Sequence, residues 1–196
     1  GEPTLDKSFE LIVNEIDKSA NPNIYHRVFT NSVRYHDAIK KFLERGLIKI
    51  VTSIDSGSRE NFKKVRGRDK FFDVFENLKT YSSIDPSKVT IKYIFTEDNC
   101  EEKELEGFVN NCLKYNLINC CFQLSLNFKY EDLKLSILKK ISYLMGLFKK
   151  SGIKKFFCDD HISSRFKKLN SKEKYEILNY LKNKKFENIF INNDKI

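Results

Sequence analysis

Two periods of apolar and polar positions alternate along the chain. Short apolar stretches with a period of two cover residues 24–30, 48–54, 88–96, 119–127, 154–157 and 188–191, and read as strands. Between them, apolar residues recur at three- and four-residue spacing. Phe9, Ile12, Val13 and Ile16 predict a helix over 5–18. Ile39, Phe42 and Leu43 predict one over 35–45, closed by Gly46. Further helices are predicted over 61–78, with an interruption at Arg66-Gly67-Arg68-Asp69, and over 101–115, 132–150 and Ser171–Asn183. Ser171 reads as the N-cap of the last, with Glu173 in its first turn. Asn21-Pro22-Asn23 and Ile84-Asp85-Pro86-Ser87 are turn signals. A strand followed by a helix every roughly 25 to 40 residues predicts βαβ units, a parallel sheet and right-handed crossovers.

The strands are polar on one face, which parallel core strands covered on both sides are not. The stretch from Ile48 ends in Ser53-Ile54-Asp55-Ser56-Gly57-Ser58. Strict alternation puts Ser53 and Asp55 on one face and Ile50, Thr52 and Ile54 on the other. In 88–96, Thr90, Lys92, Ile94 and Thr96 oppose Val89, Ile91, Tyr93 and Phe95. In 119–127, Cys121, Gln123, Ser125 and Asn127 oppose Cys120, Phe122, Leu124 and Leu126. Stripes of this kind are costly if buried dry. They predict a wet, ligand-holding hollow, with helices on the apolar face and the ligand at the carboxyl ends of the strands. Lys92, in mid-strand, needs a carboxylate, a ligand anion or water; Asp55 and Glu2 are the partners in reach on this reading.

Composition narrows the class. A chain of 196 residues, 40% hydrophobic and 32% charged, suits one well-buried soluble domain. No apolar run approaches a bilayer span, and the opening Gly1-Glu2-Pro3 has neither the basic head nor the apolar middle of a signal peptide. Without a starting Met, the N-terminus reads as a cut. The net charge of +9 comes from lysine pairs scattered along helices, such as Lys63-Lys64 and Lys139-Lys140. Scattered charge disfavours direct nucleic-acid binding and favours an anionic substrate. Cys100, Cys112, Cys120, Cys121 and Cys158 match no disulfide framework or zinc ribbon, which points to a reducing cytoplasm. Cys158-Asp159-Asp160-His161 holds metal-binding types, but contiguous residues rarely converge on one ion, so a polar loop entering a helix is expected there.

Taken in order, Gly1-Glu2-Pro3, Thr30-Asn31, Ser53-Ile54-Asp55-Ser56-Gly57, Arg66-Gly67, Phe71, Asn77-Leu78 and Lys92-Tyr93-Ile94 resemble the radical S-adenosylmethionine (SAM) enzymes over residues 1–127. In that family a Gly-Gly-Glu-Pro motif follows the second strand, a Thr-Asn pair ends the third, a Ser-x-Asp ends the fourth, and an Arg-Gly lies in the helix after it. The resemblance implies an α/β fold, a partial TIM-like (β/α) barrel of parallel strands with helices on the outer face. Residues 1–150 would form the barrel part, and 151–196 an α/β extension packed on it. It also implies roles. Gly1 and Glu2 would hold the amino group of the cofactor's methionine moiety, Ser53 and Asp55 its carboxylate or ribose hydroxyls, and Arg66 the carboxylate. Asn31, Lys92 and Gln123 would line the cavity.

The family's Cys-x3-Cys-x2-Cys motif, which holds its [4Fe-4S] cluster, is absent from this sequence. On the resemblance it belongs upstream of Gly1. The chain is then expected to be the later part of a radical enzyme, unable by itself to cleave S-adenosylmethionine, with substrate and reaction unread. Two other readings stay open: a different α/β enzyme, such as a sugar-nucleotide transferase with Asp55 or Asp159-Asp160 near a divalent metal, and a non-catalytic α/β interaction domain.

Overall fold

The structure is a computed structural model that describes residues 2–18, 26–127 and 133–186. Gly1, the start of the first predicted strand and the predicted strand over 188–191 lie outside these residues. The elements in chain order are α1 (Phe9–Lys18), β1 (His26–Phe29), α2 (Asp37–Glu44), β2 (Ile48–Ser53), α3 (Arg59–Arg66), α4 (Phe71–Ser82), β3 (Val89–Phe95), α5 (Glu102–Lys114), β4 (Cys121–Leu126), α6 (Leu135–Lys150), β5 (Phe156–Cys158), α7 (Asp160–Lys167) and α8 (Ser171–Asn183).

The five strands are parallel and pair in chain order, β1-β2-β3-β4-β5. Each crossover therefore leads to the next strand in one direction. Right-handed connections in that order place the helices on one side of the sheet. The sheet is open, an α/β arrangement consistent with part of a TIM-like barrel. On the helix-covered face Ile50, Val89, Ile91, Tyr93, Phe95 and Leu124 are fully buried, as the alternation predicts. Burying each such side chain contributes roughly 1.5–3 kcal/mol. Phe108 of α5 packs on Tyr93, and Phe148 of α6 on Phe122, with ring centroids 4.8 Å and 4.9 Å apart.

Several boundaries differ from the periodicity, each for a local reason. Pro3–Leu5 forms a 3-10 turn capped by Glu2, and α1 begins only at Phe9, after Asp6 has accepted from the Ser8 N–H. The predicted 61–78 helix is two helices, because Gly67 ends α3 with a left-handed φ of 68°. Helix α7, foreseen only as a helix start, is capped by Asp159. The N-cap of α8 is Asn170 rather than Ser171. Its side chain accepts from the Glu173 N–H, and Glu173 returns the bond in a capping box.

The segment beyond residue 150 continues the same sheet through β5 and covers α6 with α8. Glu102 ties the helices together, accepting from Lys140 (3.1 Å), Tyr180 (2.6 Å) and Lys184 (2.5 Å). Burial alone would raise the Glu102 carboxyl, but these three donors outweigh it and hold it down at about 2. Among the described residues no helix is long and apolar enough to cross a membrane.

The loop after β2 meets α5 at a pair of glycines. A Cβ on Gly57 would lie 1.7 Å from the Glu104 carbonyl oxygen, backbone that cannot swing aside. Gly57→Ala is therefore expected to destabilise the chain by about 3 kcal/mol, read as a lower midpoint of denaturant unfolding at unchanged slope. An unaltered midpoint would contradict this packing.

Candidate functional site

The site starts where β2 stops short of β3. Their last paired residues are Ser53 and Lys92, and the Ile54 N–H still donates to the Lys92 carbonyl at 3.1 Å. Asp55 then adopts φ 53°, in the left-handed region that aspartate tolerates better than most residues. The chain leaves the sheet there, while β3 runs on to Phe95. Ile94 is left with an N–H and a C=O facing the space β2 has vacated. Two side chains fill it. Asp55 Oδ1 accepts from the Ile94 N–H at 2.8 Å, and Asn99 Nδ2 donates to the Ile94 carbonyl at 2.8 Å. Asn99 Nδ2 also donates to the Asp55 carbonyl at 3.0 Å, and Asn99 Oδ1 accepts from the Thr96 N–H at 2.8 Å.

Asp55 is thus inside the protein, its side chain 6% exposed, rather than facing a hollow alongside Ser53. Its second oxygen pairs with Arg66 Nη2, which also donates to the Ser53 carbonyl at 3.0 Å. Burial pushes the Asp55 carboxyl up to about 6, against the opposing pull of Arg66, the Ile94 N–H and Lys92. Arg66 ends α3, whose start is fixed from another element. Glu104 of α5 accepts from the Gly57 N–H (2.8 Å), the Ser58 N–H (3.1 Å), the Ser58 hydroxyl (2.6 Å) and Asn61 Nδ2 (3.1 Å). A carboxylate at a helix N-terminus is favourable for the dipole as well as the bonds.

Glu2 is tied to the end of β1. Its Oε1 accepts from the Thr30 hydroxyl (2.7 Å) and the Thr4 hydroxyl (2.8 Å), and its Oε2 from the Asn31 N–H (2.6 Å). The Thr-Asn pair and the Glu-Pro pair therefore form one unit. Asn77 of α4 secures the same loop by donating to the Ser32 carbonyl at 2.8 Å. A cavity of about 350 Å³ opens between these groups, lined by Glu2, Leu5, Asn31, Val33, Ser53, Phe62, Arg66 and Arg68. Four of the residues singled out from sequence, Glu2, Asn31, Ser53 and Arg66, meet there.

Lys92 and Gln123 stand on the polar face instead, in register with Ser53: Ser53 pairs with Lys92 and Lys92 with Gln123. Gln123 Nε2 donates to the Ser125 hydroxyl at 3.2 Å. The partners expected for Lys92 are otherwise engaged, Asp55 by Arg66 and Ile94, and Glu2 by Thr4, Thr30 and Asn31. Among the described residues the Lys92 ammonium makes no direct hydrogen bond or ion pair and acts on Asp55 only at a distance, because Asp55 turns away from the strand that would have aimed it there.

No metal centre forms among the described residues: no group of three His, Cys, Asp or Glu side chains could hold an ion. Asp159 caps α7 through the Ile162 N–H (3.0 Å) and accepts from the Leu126 N–H (3.2 Å). The five cysteines are free thiols, and burial pushes Cys120 and Cys158 up to about 12. Neither an iron–sulfur cluster nor a divalent-metal site fits the described residues. Asn99 and Glu104 went unnoticed in the sequence. The one signal for Asn99 is its place just past a strand end, where an amide side chain can bond nearby backbone. Nothing local marks Glu104, whose partners are more than forty positions away.

The family model described as the Radical SAM superfamily matches residues 1–108. The chain is 29% identical over 110 residues to the GTP 3',8-cyclase of Photorhabdus laumondii, covering 56% of this chain and 33% of that one. To the GTP 3',8-cyclase of Pasteurella multocida it is 33% identical over 99 residues, 50% of this chain and 29% of the other. To a probable GTP 3',8-cyclase of Saccharolobus islandicus it is 32% identical over 109 residues, 56% and 34% of the two chains. The match thus spans about a third of the length of each of these relatives.

The raised Asp55 carboxyl has a consequence for stability. A group that binds its proton more tightly folded than unfolded stabilises the fold below its unfolded value, near 4, and loses that contribution as pH rises through about 6. NMR titration of the Asp55 carboxyl should give a midpoint near 6, and unfolding free energy should fall between pH 4 and 6 in the chain but not in Asp55→Asn. An ordinary carboxylate midpoint would contradict the site as described.

Proposed function

The chain belongs to the radical SAM superfamily, and from that premise we propose that the cavity between β1, β2 and α3 holds the amino-acid end of S-adenosylmethionine. What supports the reading is the donor set. The Glu2 carboxylate offers acceptors to an ammonium, while Asn31 and Ser53 offer neutral polar groups. Arg66 keeps the Nε and Nη1 donors without partners among the described residues, and either can donate singly to a carboxylate oxygen. Asp55 holds that guanidinium in place and leaves the rest of it to the ligand. Gly1, the other expected contact for the amino group, lies outside the described residues. When bound and reductively cleaved, S-adenosylmethionine supplies hydrogen-atom abstraction from a substrate. This chain's residues bind and orient it. The [4Fe-4S] cluster that such cleavage needs has no ligand set among the described residues, and no role in it is assigned to them.

We place the substrate on the row Ser53, Lys92 and Gln123. An unpaired ammonium between a hydroxyl and an amide, on a face the helices do not cover, is a site for an anionic group. The relatives are named for a reaction of GTP. A nucleoside triphosphate is accordingly the first substrate to test. The free thiols accord with the reducing cytoplasm we infer for the protein.

Two titrations followed by amide NMR separate the cofactor and substrate parts. Arg66→Ala should weaken S-adenosylmethionine binding by about tenfold or more, and Asp55→Ala should weaken it as well, with GTP binding little changed. Lys92→Ala should do the reverse. Equal affinities in all variants would reject both assignments.

A further inference from the structure

The Arg66 guanidinium is held in one place by groups behind the cavity wall. Arg66 Nη2 is fixed by two acceptors, the Ser53 carbonyl and the Asp55 carboxylate. Asp55 can reach it only because its backbone turns left-handed and its other oxygen is pinned to the Ile94 N–H. A left-handed aspartate is costly unless the surroundings hold it. Asn99 and Ser56 supply that hold. The Asp55 carbonyl accepts from Asn99 Nδ2 and from the Ser56 hydroxyl, at 3.0 Å and 2.7 Å. The same Asn99 amide takes the Ile94 carbonyl and the Thr96 N–H, so it grips both sides of the gap that β2 leaves. The Asn99 side chain is fully buried and uses both its heteroatoms on backbone. It touches neither the cavity nor Arg66.

We propose that Asn99 is a positioning residue for the cofactor carboxylate: it sets the Asp55 turn, and through Asp55 the direction of the free Arg66 N–H donors. The inference rests on the assignment of the cavity to S-adenosylmethionine. It adds a residue that neither the family resemblance nor the cavity lining points to. A core asparagine with a purely structural role would, on replacement, lower stability and weaken every ligand alike. A positioning residue weakens only ligands that carry the carboxylate.

The test compares two probes on the chain, S-adenosylmethionine and 5'-methylthioadenosine, which lacks the amino-acid end. Asn99→Ala should weaken the first on the order of tenfold and leave the second nearly unchanged. Combining it with Arg66→Ala should cost little more than Arg66→Ala alone. Asn99→Asp keeps the acceptor for Thr96 and loses the two donated bonds, and serves if the alanine variant does not fold. The Asp55 carboxyl supplies a reading independent of any ligand: in the Asn99 variant its midpoint should move down from about 6 towards the usual carboxylate range as the turn opens to water. If the unaltered chain binds neither probe, the cofactor assignment falls, and the Asp55 midpoint still decides whether Asn99 sets the turn. Equal loss for both probes, additive effects with Arg66→Ala, an unmoved Asp55 midpoint, or failure of both variants to fold would each overturn the proposal.

Discussion

A parallel sheet whose strands end at different heights leaves backbone groups stranded, and buried N–H and C=O groups must be satisfied. Here β2 ends at Ser53 while β3 continues to Phe95, which leaves both polar groups of Ile94 without a strand partner on that side. The chain closes the gap with side chains, an aspartate for the donor and an asparagine for the acceptor. That repair forces Asp55 into its left-handed turn. The turn aims a carboxylate at Arg66, and Arg66 borders the cavity. The geometry of the site is thus a consequence of finishing a strand early, and the same bonds that satisfy the backbone hold the guanidinium that lines the cavity.

The second determinant is the order of the strands. Because every crossover steps to the next strand in one direction, the helices gather on one face, and the polar stripes line up across β2, β3 and β4 on the other. Ser53, Lys92 and Gln123 come from three separate segments, yet they stand side by side because register aligns them. An ammonium in that row is tolerable while the face stays wet, and becomes attractive to an anion that replaces the water. The end of β1 plays a different part. Thr30 and Asn31 take up the Glu2 carboxylate, so a residue far from the sheet in sequence becomes part of the cavity wall.

Much of this was legible in the sequence, for a definite reason. Period-two alternation identified the buried face residue by residue in 88–96, since a strand's side chains can only alternate; in 119–127 it holds except at Ser125, which is buried on the polar face. The break at Arg66-Gly67 was legible because Gly67 takes the conformation that ends α3. Alternation failed at Asp55, because the strand had already ended and the rule no longer applied. For the same reason Lys92 acts on Asp55 only at a distance rather than through a direct ion pair. Asn99 and Glu104 were missed because their roles depend on where a distant strand stops and a distant helix starts, and neither is written in their own neighbourhood. The family motifs carried the functional reading further than periodicity could, and the structure explains why they travel together: Glu2 with Thr30 and Asn31, and Asp55 with Arg66, are bonded pairs.

The site depends on the Ile94 amide being held by the Asp55 side chain as firmly as a strand holds a strand. Hydrogen exchange of that amide tests it most directly. In the unaltered chain Ile94 should exchange as slowly as the Phe122 amide, which is bonded to the Lys155 carbonyl at 2.8 Å; in Asp55→Ala, Ile94 should become fast while Phe122 stays slow. Fast exchange at Ile94 in the unaltered chain, or unchanged protection in the variant, would contradict it.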